Sequence, residues 1–320
     1  MATNLPAGIY VPIPTFFSGD VAGEQPVDVE TISRHVTFLC QSGVNGIVCM
    51  GSTGEAVHLH DDERMLVLRT ARKTIDASSC KAKLLAGCSK ESVQETLRLI
   101  EQAAQSGADY ALVLPPSYFL AWTANRSEII HTFYTMIADK ALIPIVIYNF
   151  PGVTQQMDIA QETIVKLSAH PNIVGIKCTD GNVGKAAYVC EHTDRKQFTV
   201  LSGSADSFVP FLTVGAQGCV PGLGNVVPRV LVHLLALYTD HRADQWADIQ
   251  RIQGKIVEGD HAFFRWNGIA GLKSAMQHVL GYGGHARAPL LPSSSEQQAS
   301  IVKALEPALE IERQLASHQP

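Results

Sequence analysis

Short apolar runs alternate with longer amphipathic stretches over the first 240 residues of the chain. A strand that is buried on both faces is a nearly continuous apolar run, whereas a helix on a protein surface repeats its apolar positions every three or four residues. The short runs therefore predict eight strands, at residues 8–13, 46–50, 83–87, 110–114, 143–148, 173–177, 198–201 and 218–220.

Helical patterns fill the intervals between these strands. In the first interval, Val29, Ile32, Val36 and Leu39 repeat at helical spacing. The other helices are predicted at residues 61–77, 91–106, 127–139, 158–169, 183–191, 205–214 and 226–238. Strict alternation requires parallel strands, and eight such units over about 230 residues suit a closed (β/α)8 TIM barrel of the α/β class. An open doubly wound sheet is disfavoured, because the chain has no G-x-G-x-x-G and no Walker A motif.

Residues beyond 240 carry helical patterns and no strand pattern. Helices are predicted at residues 242–258, 268–280 and 295–317. We therefore expect a barrel of residues 1–240, followed by a C-terminal helical region of residues 241–320 that packs on the barrel.

Composition and charge exclude several classes of protein. Apolar residues make up 46% of the chain and charged residues 17%, against about 25% charged in a typical soluble domain. A large core, an oligomer or both are therefore expected. The 25 basic and 30 acidic side chains give a net charge of −5, which argues against a partner that is a nucleic acid or an anionic membrane surface. No apolar run approaches the ~20 residues that a membrane span needs.

The N-terminal segment and the cysteines indicate where in the cell the protein is expected. No basic segment precedes an apolar core at the N-terminus, so no signal peptide is predicted. The seven cysteines are scattered, odd in number and never in a C-x-x-C arrangement. This usage is typical of reduced thiols in an intracellular protein, and the cytoplasm is the expected location.

Barrel enzymes carry out their chemistry where the strands end, and Lys177 ends the sixth predicted strand. The four residues before it are apolar or glycine. A lysine that loses its surrounding water is more easily uncharged, and an uncharged amine can form a Schiff base. The alternative is a lysine that extends to the rim and keeps its amine in water. Spacing alone does not separate these two interpretations.

Polar residues end the neighbouring strands as well. Tyr148 ends the fifth, and a phenol beside an amine can relay protons to a carbonyl adduct. Ser52 and Thr53 lie between two glycines after the second strand, where backbone N–H groups and hydroxyls suit a small carboxylate or phosphate. Each feature alone is more often structural: a tyrosine that packs, and a tight turn from strand to helix.

A metal site is not predicted. His58 and His60 flank Leu59 before two aspartates, but no second set of His or Cys at ligand spacing accompanies them. The remaining histidines are scattered on predicted helices, where surface or satisfied core positions are the usual explanation.

The strand ends, taken together, resemble a known family. Their order and spacing are similar to those of the dihydrodipicolinate synthase and N-acetylneuraminate lyase superfamily, which comprises class I aldolases that handle pyruvate. The resemblance covers nearly the whole chain and rests on residues 12–16, Gly-Ser-Thr-Gly-Glu at 51–55, Tyr-Asn-Phe-Pro at 148–151, Gly-Ile-Lys at 175–177, Ser-Gly-Ser at 202–204 and the helical tail near 267–282.

The resemblance implies roles for individual residues. Lys177 matches the lysine that forms the imine, and Tyr148 matches the tyrosine that relays protons. Tyr118 matches a second catalytic tyrosine, which the synthases supply across a dimer interface. Ser52 and Thr53 match the pair that binds the pyruvyl carboxylate. Further substrate-binding positions are implied at Thr179, Gly203, Ser204, Asp206 and Val220.

Two departures from the family pattern concern the substrate. The synthases carry an arginine just after the Tyr-Asn-x-Pro motif, and Val153 stands there in this chain; valine cannot bind a carboxylate. After the seventh strand the lyases carry two acids for a polyol chain, and only Asp206 is kept. Within the superfamily the chain most resembles the fungal L-threo-3-deoxy-hexulosonate aldolases of galacturonate breakdown, and it also resembles 4-hydroxy-2-oxoglutarate aldolases.

The expected activity is therefore retro-aldol cleavage of a 2-keto-3-deoxy sugar acid to pyruvate and glyceraldehyde. The resemblance also implies a homotetramer of tight dimers, with no metal and no organic cofactor because the lysine adduct serves as the electron sink. A condensing synthase and a 4-hydroxy-2-oxoglutarate aldolase remain alternatives. A catalytically silent barrel that binds keto acids is a more remote one.

Overall fold

The structure, a computed structural model, describes residues 4–19, 23–240 and 242–317. Within these residues, eight short strands follow one another in chain order and close into a barrel. They are β1 (Gly8–Pro12), β2 (Gly46–Cys49), β3 (Lys83–Gly87), β4 (Tyr110–Val113), β5 (Ile145–Asn149), β6 (Ile173–Cys178), β7 (Thr199–Ser202) and β8 (Gly218–Cys219). The predicted (β/α)8 barrel is confirmed.

Helices follow each strand, and the tail is helical as predicted. The described helices are α1 (Val29–Gln41), α2 (Asp61–Ala77), α3 (Val93–Gln105), α4 (Arg126–Ala138), α5 (Gln161–Ser168), α6 (Val183–His192), α7 (Phe208–Thr213), α8 (Pro228–Thr239), α9 (Trp246–Arg265), α10 (Gly268–Leu280) and α11 (Ser295–Ser317). None of the helices in the described ranges is long and apolar enough to cross a bilayer.

Some element boundaries differ from the predicted ones for identifiable reasons. β5 begins at Ile145 because Pro144 has no N–H to give to a ladder. α5 begins at Gln161 rather than 158, because the Ile159 N–H is bonded to the Asn149 side chain. α9 continues past 258 to Arg265, with Phe263 among the residues that keep its apolar face buried.

The described residues form two compact units: residues 4–7, 83–203 and 207–219 in the first, and residues 8–82, 204–206 and 220–317 in the second. In the first unit, the segment before β1 is fixed by side chains of the strands. The Tyr110 hydroxyl donates to the Asn4 carbonyl at 2.8 Å, and the Thr199 hydroxyl donates to the Leu5 carbonyl at 2.6 Å. The division into residues 1–240 and 241–320 stays a prediction.

In the second unit, a buried ion pair ties α11 to the start of α8. Glu312 accepts from the Val230 N–H at 3.0 Å and from the Arg229 guanidinium at 3.1 Å. Burial raises the pKa of Glu312, and these hydrogen bonds act in the opposite direction. The C-terminal helix is thereby held on the helix that follows β8.

The cysteine prediction is wrong for two residues of the second unit. Cys40 at the end of α1 and Cys80 after α2 form a disulfide, with their Cα atoms 5.7 Å apart. The two helices pack side by side, which brings together cysteines that are 40 residues apart in the chain. Sequence spacing gave no sign of this pairing. The other five cysteines are buried thiols outside this disulfide.

Candidate active site

Lys177 and Tyr148 meet at the carboxyl ends of adjacent strands. The register of β5 and β6 sets the two residues side by side. The Lys177 Nζ donates to the Tyr148 hydroxyl at 3.2 Å and lies 4.3 Å from the centre of the tyrosine ring. Lys177 is 5% exposed and Tyr148 is 3% exposed. The amine therefore does not extend into bulk water, and the rim interpretation of Lys177 does not hold.

A buried polar cluster fixes the backbone next to this pair. Asn149 follows Tyr148, is fully buried, and donates to the carboxylates of Asp158 and Asp180 at 2.8 Å each. The Lys185 amine bonds to both carboxylates. Burial lowers the pKa of Lys185, but its hydrogen bonds to the two aspartates outweigh this, so the pKa is raised overall. The cluster holds the ends of β5 and β6 in register.

Thr179 and Gly203 approach each other closely beyond the ends of β6 and β7. The Gly203 N–H donates to the Cys178 carbonyl at 2.7 Å. A Cβ on residue 203 would overlap the Thr179 hydroxyl and lie 2.8 Å from that carbonyl oxygen, so glycine is required. Among the described residues, the buried Thr179 Oγ1 has no hydrogen-bond partner. Buried hydroxyls are usually bonded, so this one is an exception.

Ser52 and Thr53 lie in the tight turn that follows β2. Met50 and Glu55, on either side of the turn, both have positive φ angles, of 54° and 53°. The Gly54 carbonyl accepts from the Thr15 hydroxyl at 2.7 Å. A Cβ on Gly54 would lie 2.8 Å from the Met50 nitrogen, so the turn needs glycine at this position. The hydrogen bond from Thr15 and the close approach at Gly54 together fix the conformation of the turn.

An ion pair beneath this turn connects it to α10. The Lys273 amine donates to Glu55 at 2.6 Å and to the His285 carbonyl at 2.9 Å. The side chains of Lys273 and Glu55 are 0% and 1% exposed. Burial lowers the pKa of Lys273, and the Glu55 carboxylate acts in the opposite direction. Glu55 also accepts from the Arg287 N–H at 2.8 Å.

The loop after β7 is held by α9. The buried Asp260 carboxylate accepts from the Ser204 hydroxyl at 2.7 Å and from the N–H groups of Ala205 and Asp206 at 3.0 and 3.1 Å. Burial raises the pKa of Asp260, and these hydrogen bonds act against the rise. The Asp206 carboxylate is the second acceptor within reach of the Ser204 hydroxyl, which has one hydrogen and donates to one carboxylate at a time, and it lies 2.8 Å from the Nε2 atom of His261.

Of the residues singled out in the sequence that remain, Val220 is buried, whereas Tyr118 and Val153 are exposed. Val220 follows β8 and is 1% exposed. Tyr118 follows β4, is 54% exposed, and packs edge-on against Phe119 and Trp122. Its N–H donates to Glu91 at 3.0 Å, which fixes the loop while the ring stays in an exposed aromatic patch. Val153 lies in the short turn after β5 and is 46% exposed.

The two histidines near the second strand have structural partners. The His58 ring lies 3.3 Å from the Glu55 carboxylate, and the His60 N–H donates to Glu63 at 2.9 Å at the start of α2. In the part of the chain that the structure describes, no group of three or more His, Cys, Asp or Glu side chains is arranged to hold a metal ion.

Sequence reasoning missed the residues that support the predicted site. Lys273, Arg287, Asp260 and His261 come from the helical tail, far along the chain from the loops that they contact. One signal was present: Asp260 is a carboxylate in a segment that continues the apolar pattern of α9. A buried carboxylate such as Asp260 on an apolar helix face requires hydrogen-bond partners, and the loop after β7 supplies them.

Parallel barrels carry chemistry at the carboxyl ends of their strands, and a buried amine beside a phenol at that end is typical of barrel lyases that act through a lysine. The chain belongs to the dihydrodipicolinate synthetase family, whose family model matches residues 7–308. Relatives of this chain are named aldolases, and the protein is an enzyme of that type, a carbon–carbon lyase.

Named relatives match nearly the whole chain. A protein of Emericella nidulans named probable 4-hydroxy-2-oxoglutarate aldolase, mitochondrial, is 37% identical over 311 residues, with 97% of both chains covered. A protein of Hypocrea jecorina named L-threo-3-deoxy-hexylosonate aldolase is 36% identical over 320 residues, covering 98% of this chain and 99% of the relative. The two names differ in substrate, so the likeness gives the type of reaction and leaves the substrate open.

Solved structures give the same fold. A dihydrodipicolinate synthase family protein from Coccidioides immitis has a TM-score of 0.84 at 28% identity, with 98% of this chain and 100% of that chain covered. A dihydrodipicolinate synthase from Bacillus anthracis has a TM-score of 0.85 at 25% identity, with 96% and 99% covered.

Proposed function

We propose that the protein is a class I aldolase that cleaves L-threo-3-deoxy-hexulosonate, a 2-keto-3-deoxy sugar acid, to pyruvate and glyceraldehyde. The observation that carries the proposal is the buried contact between the Lys177 amine and the Tyr148 hydroxyl, 3.2 Å apart at the carboxyl ends of neighbouring strands. A nucleophilic amine and a proton-transfer group at hydrogen-bond distance are what imine chemistry requires.

In the first half of the reaction, the Lys177 amine attacks the C2 carbonyl of the substrate. Water leaves and a protonated imine forms, with Tyr148 passing protons between the amine and the departing oxygen. The imine withdraws electrons from C3. A base acting through Tyr148 then takes the C4 hydroxyl proton, the C3–C4 bond breaks, and its electron pair moves to the enamine. The glyceraldehyde leaves.

In the second half, the enamine carbon C3 takes up a proton, which regenerates the imine. Water adds to C2, the carbon–nitrogen bond breaks, and pyruvate leaves with the Lys177 amine restored. No step needs a metal ion or an organic cofactor, because the imine itself accepts the electron pair.

Other residues of the proposed site bind the two ends of the substrate. We assign the carboxylate to Ser52 and Thr53, in the closely determined turn after β2, so that binding energy orients the bond that breaks. We assign hydroxyls of the distal chain to Thr179, Ser204 and Asp206. The Asp206 side chain supports this assignment, because its carboxylate is 32% exposed. Val220 contributes a buried wall.

A second candidate is a 4-hydroxy-2-oxoglutarate aldolase. The relative from Emericella nidulans, which carries that name, is 37% identical to this chain. The two candidates differ at the distal end, which is a polyol in one substrate and a carboxylate in the other. Val153 offers no charge for a carboxylate, and Asp206 would repel one. These two residues favour the sugar acid.

The substrate is tested by measuring pyruvate release from three substrates side by side. The expected order of kcat/KM is L-threo-3-deoxy-hexulosonate first, 4-hydroxy-2-oxoglutarate second, and condensation of pyruvate with aspartate semialdehyde last. Lys177→Ala should abolish all three activities, and Lys177→Arg should do the same because a guanidinium stays protonated. A clear preference for 4-hydroxy-2-oxoglutarate would overturn the substrate while leaving the imine mechanism standing.

For assembly, we propose a homotetramer built from tight dimers, with Tyr118 acting across the dimer interface. Its exposed ring and those of Phe119 and Trp122 form an aromatic patch that is suited to burial against a second subunit. Tyr118→Phe should lower activity and leave the sedimentation coefficient unchanged. A fully active monomer at the assay concentration would contradict the proposal. A cytoplasmic location is proposed as well, although the relative from Emericella nidulans is named mitochondrial.

A further inference from the structure

The strands β5 and β6 do not keep one register along their whole length. Ile145 pairs with Ile173, and the pairing shifts by one residue immediately after this pair. Without the shift Tyr148 would pair with Ile176, whereas the shifted register sets Tyr148 opposite Lys177. A one-residue irregularity of this kind bends a strand and re-aims its side chains. The contact between the amine and the phenol therefore depends on the register that the strands keep beyond the shift.

Asn149 fixes that register at the carboxyl ends of the two strands. Its carbonyl accepts from the Thr179 N–H at 2.8 Å. Its amide group donates to Asp158 and Asp180 at 2.8 Å each, and its side-chain oxygen accepts from the Ile159 N–H at 3.1 Å. One residue thus bonds the end of β6, the loop after it and the segment that precedes α5.

Asn149 does not itself present a group to the Lys177 amine. Side chains alternate between the two faces of a strand. Tyr148 and Lys177 share one face, since they pair in register and are in contact, so Asn149 lies on the other face of β5. The two hydrogens of its amide are both given to carboxylates. Any effect of Asn149 on the reaction must therefore pass through the main chain to Tyr148.

We propose that Asn149 is a positioning residue, which holds the shifted register of β5 and β6 so that the Tyr148 hydroxyl meets the Lys177 amine. It acts through the main chain and touches neither the amine nor the substrate. This inference rests on the proposed function, since it assigns a support to the pair that forms the imine. Loss of the Asn149 side chain should slow the chemistry more than it weakens substrate binding.

The test compares Asn149→Ala with Asn172→Ala. Asn172 lies at the opposite end of β6, and its side chain donates to the carbonyls of Ala138 and Ala141 at 3.0 and 3.2 Å. Both variants lose amide hydrogen bonds, so both should melt at lower temperature than the wild-type protein. Only Asn149→Ala should lower kcat for the sugar acid, by about 10- to 100-fold, because a displacement of about 1 Å at a reacting group can cost about 100-fold.

Two further readouts belong to the same comparison. KM should change by less than about threefold in both variants, since neither asparagine binds the substrate. The rate at which cyanoborohydride traps pyruvate on Lys177 should fall in Asn149→Ala and stay at the wild-type value in Asn172→Ala. All rates are measured well below the melting temperature of the less stable variant.

A double-mutant cycle separates positioning from a general loss of structure. Tyr148→Phe has no hydroxyl to position. Adding Asn149→Ala to it should therefore lower kcat by less than about threefold further. A general loss of structure would instead multiply the two separate effects.

A milder pair of variants decides the matter if Asn149→Ala does not fold. The Asp158 side chain is 46% exposed, so its replacement disturbs the core little. Asp158→Ala removes one acceptor of the Asn149 amide and should lower kcat by about 3- to 10-fold. Asp158→Asn keeps an acceptor oxygen and should restore kcat to within about twofold of the wild-type value.

The outcomes distinguish this inference from the proposed function. Equal rates for Asn149→Ala and Asn172→Ala, multiplied effects in the cycle, or an Asp158→Asn protein as slow as Asp158→Ala would each overturn the role of Asn149 while leaving the aldolase reaction intact. A wild-type protein that does not trap pyruvate on Lys177 would overturn the imine mechanism, and this inference with it.

Discussion

Lys273 provides a test of how the turn that carries Ser52 and Thr53 is held in place. Its amine is fully buried and bonded to Glu55, the residue that ends the turn. Lys273→Met keeps most of the volume of the side chain and removes its charge. The Glu55 carboxylate then remains buried without its nearest cation. Breaking a buried pair by removing one partner costs about 3–5 kcal/mol.

The expected effect on thermal stability follows from the size of the chain. For a protein of 320 residues, each kcal/mol lowers the melting temperature by about 1.5 °C. Lys273→Met should therefore lower it by about 5–7 °C. Since the turn is also expected to bind the substrate carboxylate, the KM for the sugar acid should rise more than kcat falls. Differential scanning calorimetry and steady-state kinetics give the two readouts.

A matched control is available on α9. Lys255 lies 3.8 Å from Glu310, and the two side chains are 37% and 61% exposed. Lys255→Met should cost at most about 1 kcal/mol, because exposed ion pairs contribute little. The double variant Glu55→Gln with Lys273→Met leaves no unpaired charge and should recover part of the lost stability. If Lys273→Met is no more destabilising than Lys255→Met, the reasoning about the buried pair is refuted.

Three further predictions concern the site and the core. Tyr148→Phe removes the hydroxyl near Lys177 and should lower kcat by about 10²–10⁴-fold while pyruvate is still trapped; kinetics near those of the wild-type protein would exclude the proton relay. Gly203→Ala sets a Cβ against the Thr179 hydroxyl and should lower both the melting temperature and kcat/KM. The control Gly254→Ala, which has open space around it inside α9, should leave kcat/KM unchanged and raise the melting temperature slightly, because alanine favours a helix over glycine. Burial lowers the pKa of His35 from 6.5 to about 4. At pH 5 the unfolded chain therefore binds a proton at His35 that the native state does not. Denaturation curves should show about 2 kcal/mol less free energy of unfolding at pH 5 than at pH 7.5. His35→Gln should remove this difference, and the control His192→Gln should keep it.

The sequence was sufficient to predict the barrel because its signals are local. Each strand is a buried apolar run bounded by polar residues, and α2 was predicted at the bounds Asp61–Ala77 that the structure shows. The proximity of Lys177 and Tyr148 could also be predicted from the sequence, because adjacent parallel strands bring their ends together. The roles of these residues came from resemblance to a family and remain predictions.

The residues of the C-terminal helices that hold the loops of the candidate site could not be predicted, because their partners are distant in sequence. Lys273 bonds Glu55 across 218 positions, and Asp260 bonds Ser204 across 56. No period or spacing encodes such pairs. The predicted end of α9 at residue 258 also excluded His261 from the helix, so its contact with Asp206 could not be considered. The disulfide between Cys40 and Cys80 was missed for the same reason, as it depends on how two helices pack.

The central claim is that Lys177 forms a covalent imine with the keto acid. The most direct test is to incubate the protein with pyruvate and borohydride, digest it, and identify the modified peptide by mass spectrometry. The reduced pyruvyl adduct is expected on Lys177 of the wild-type protein and should be absent from the Lys177→Ala protein. The buried Lys185 and Lys273 serve as internal controls in both proteins, because they should stay unmodified. An unmodified Lys177 after borohydride treatment of a protein that is releasing pyruvate from substrate would contradict the account.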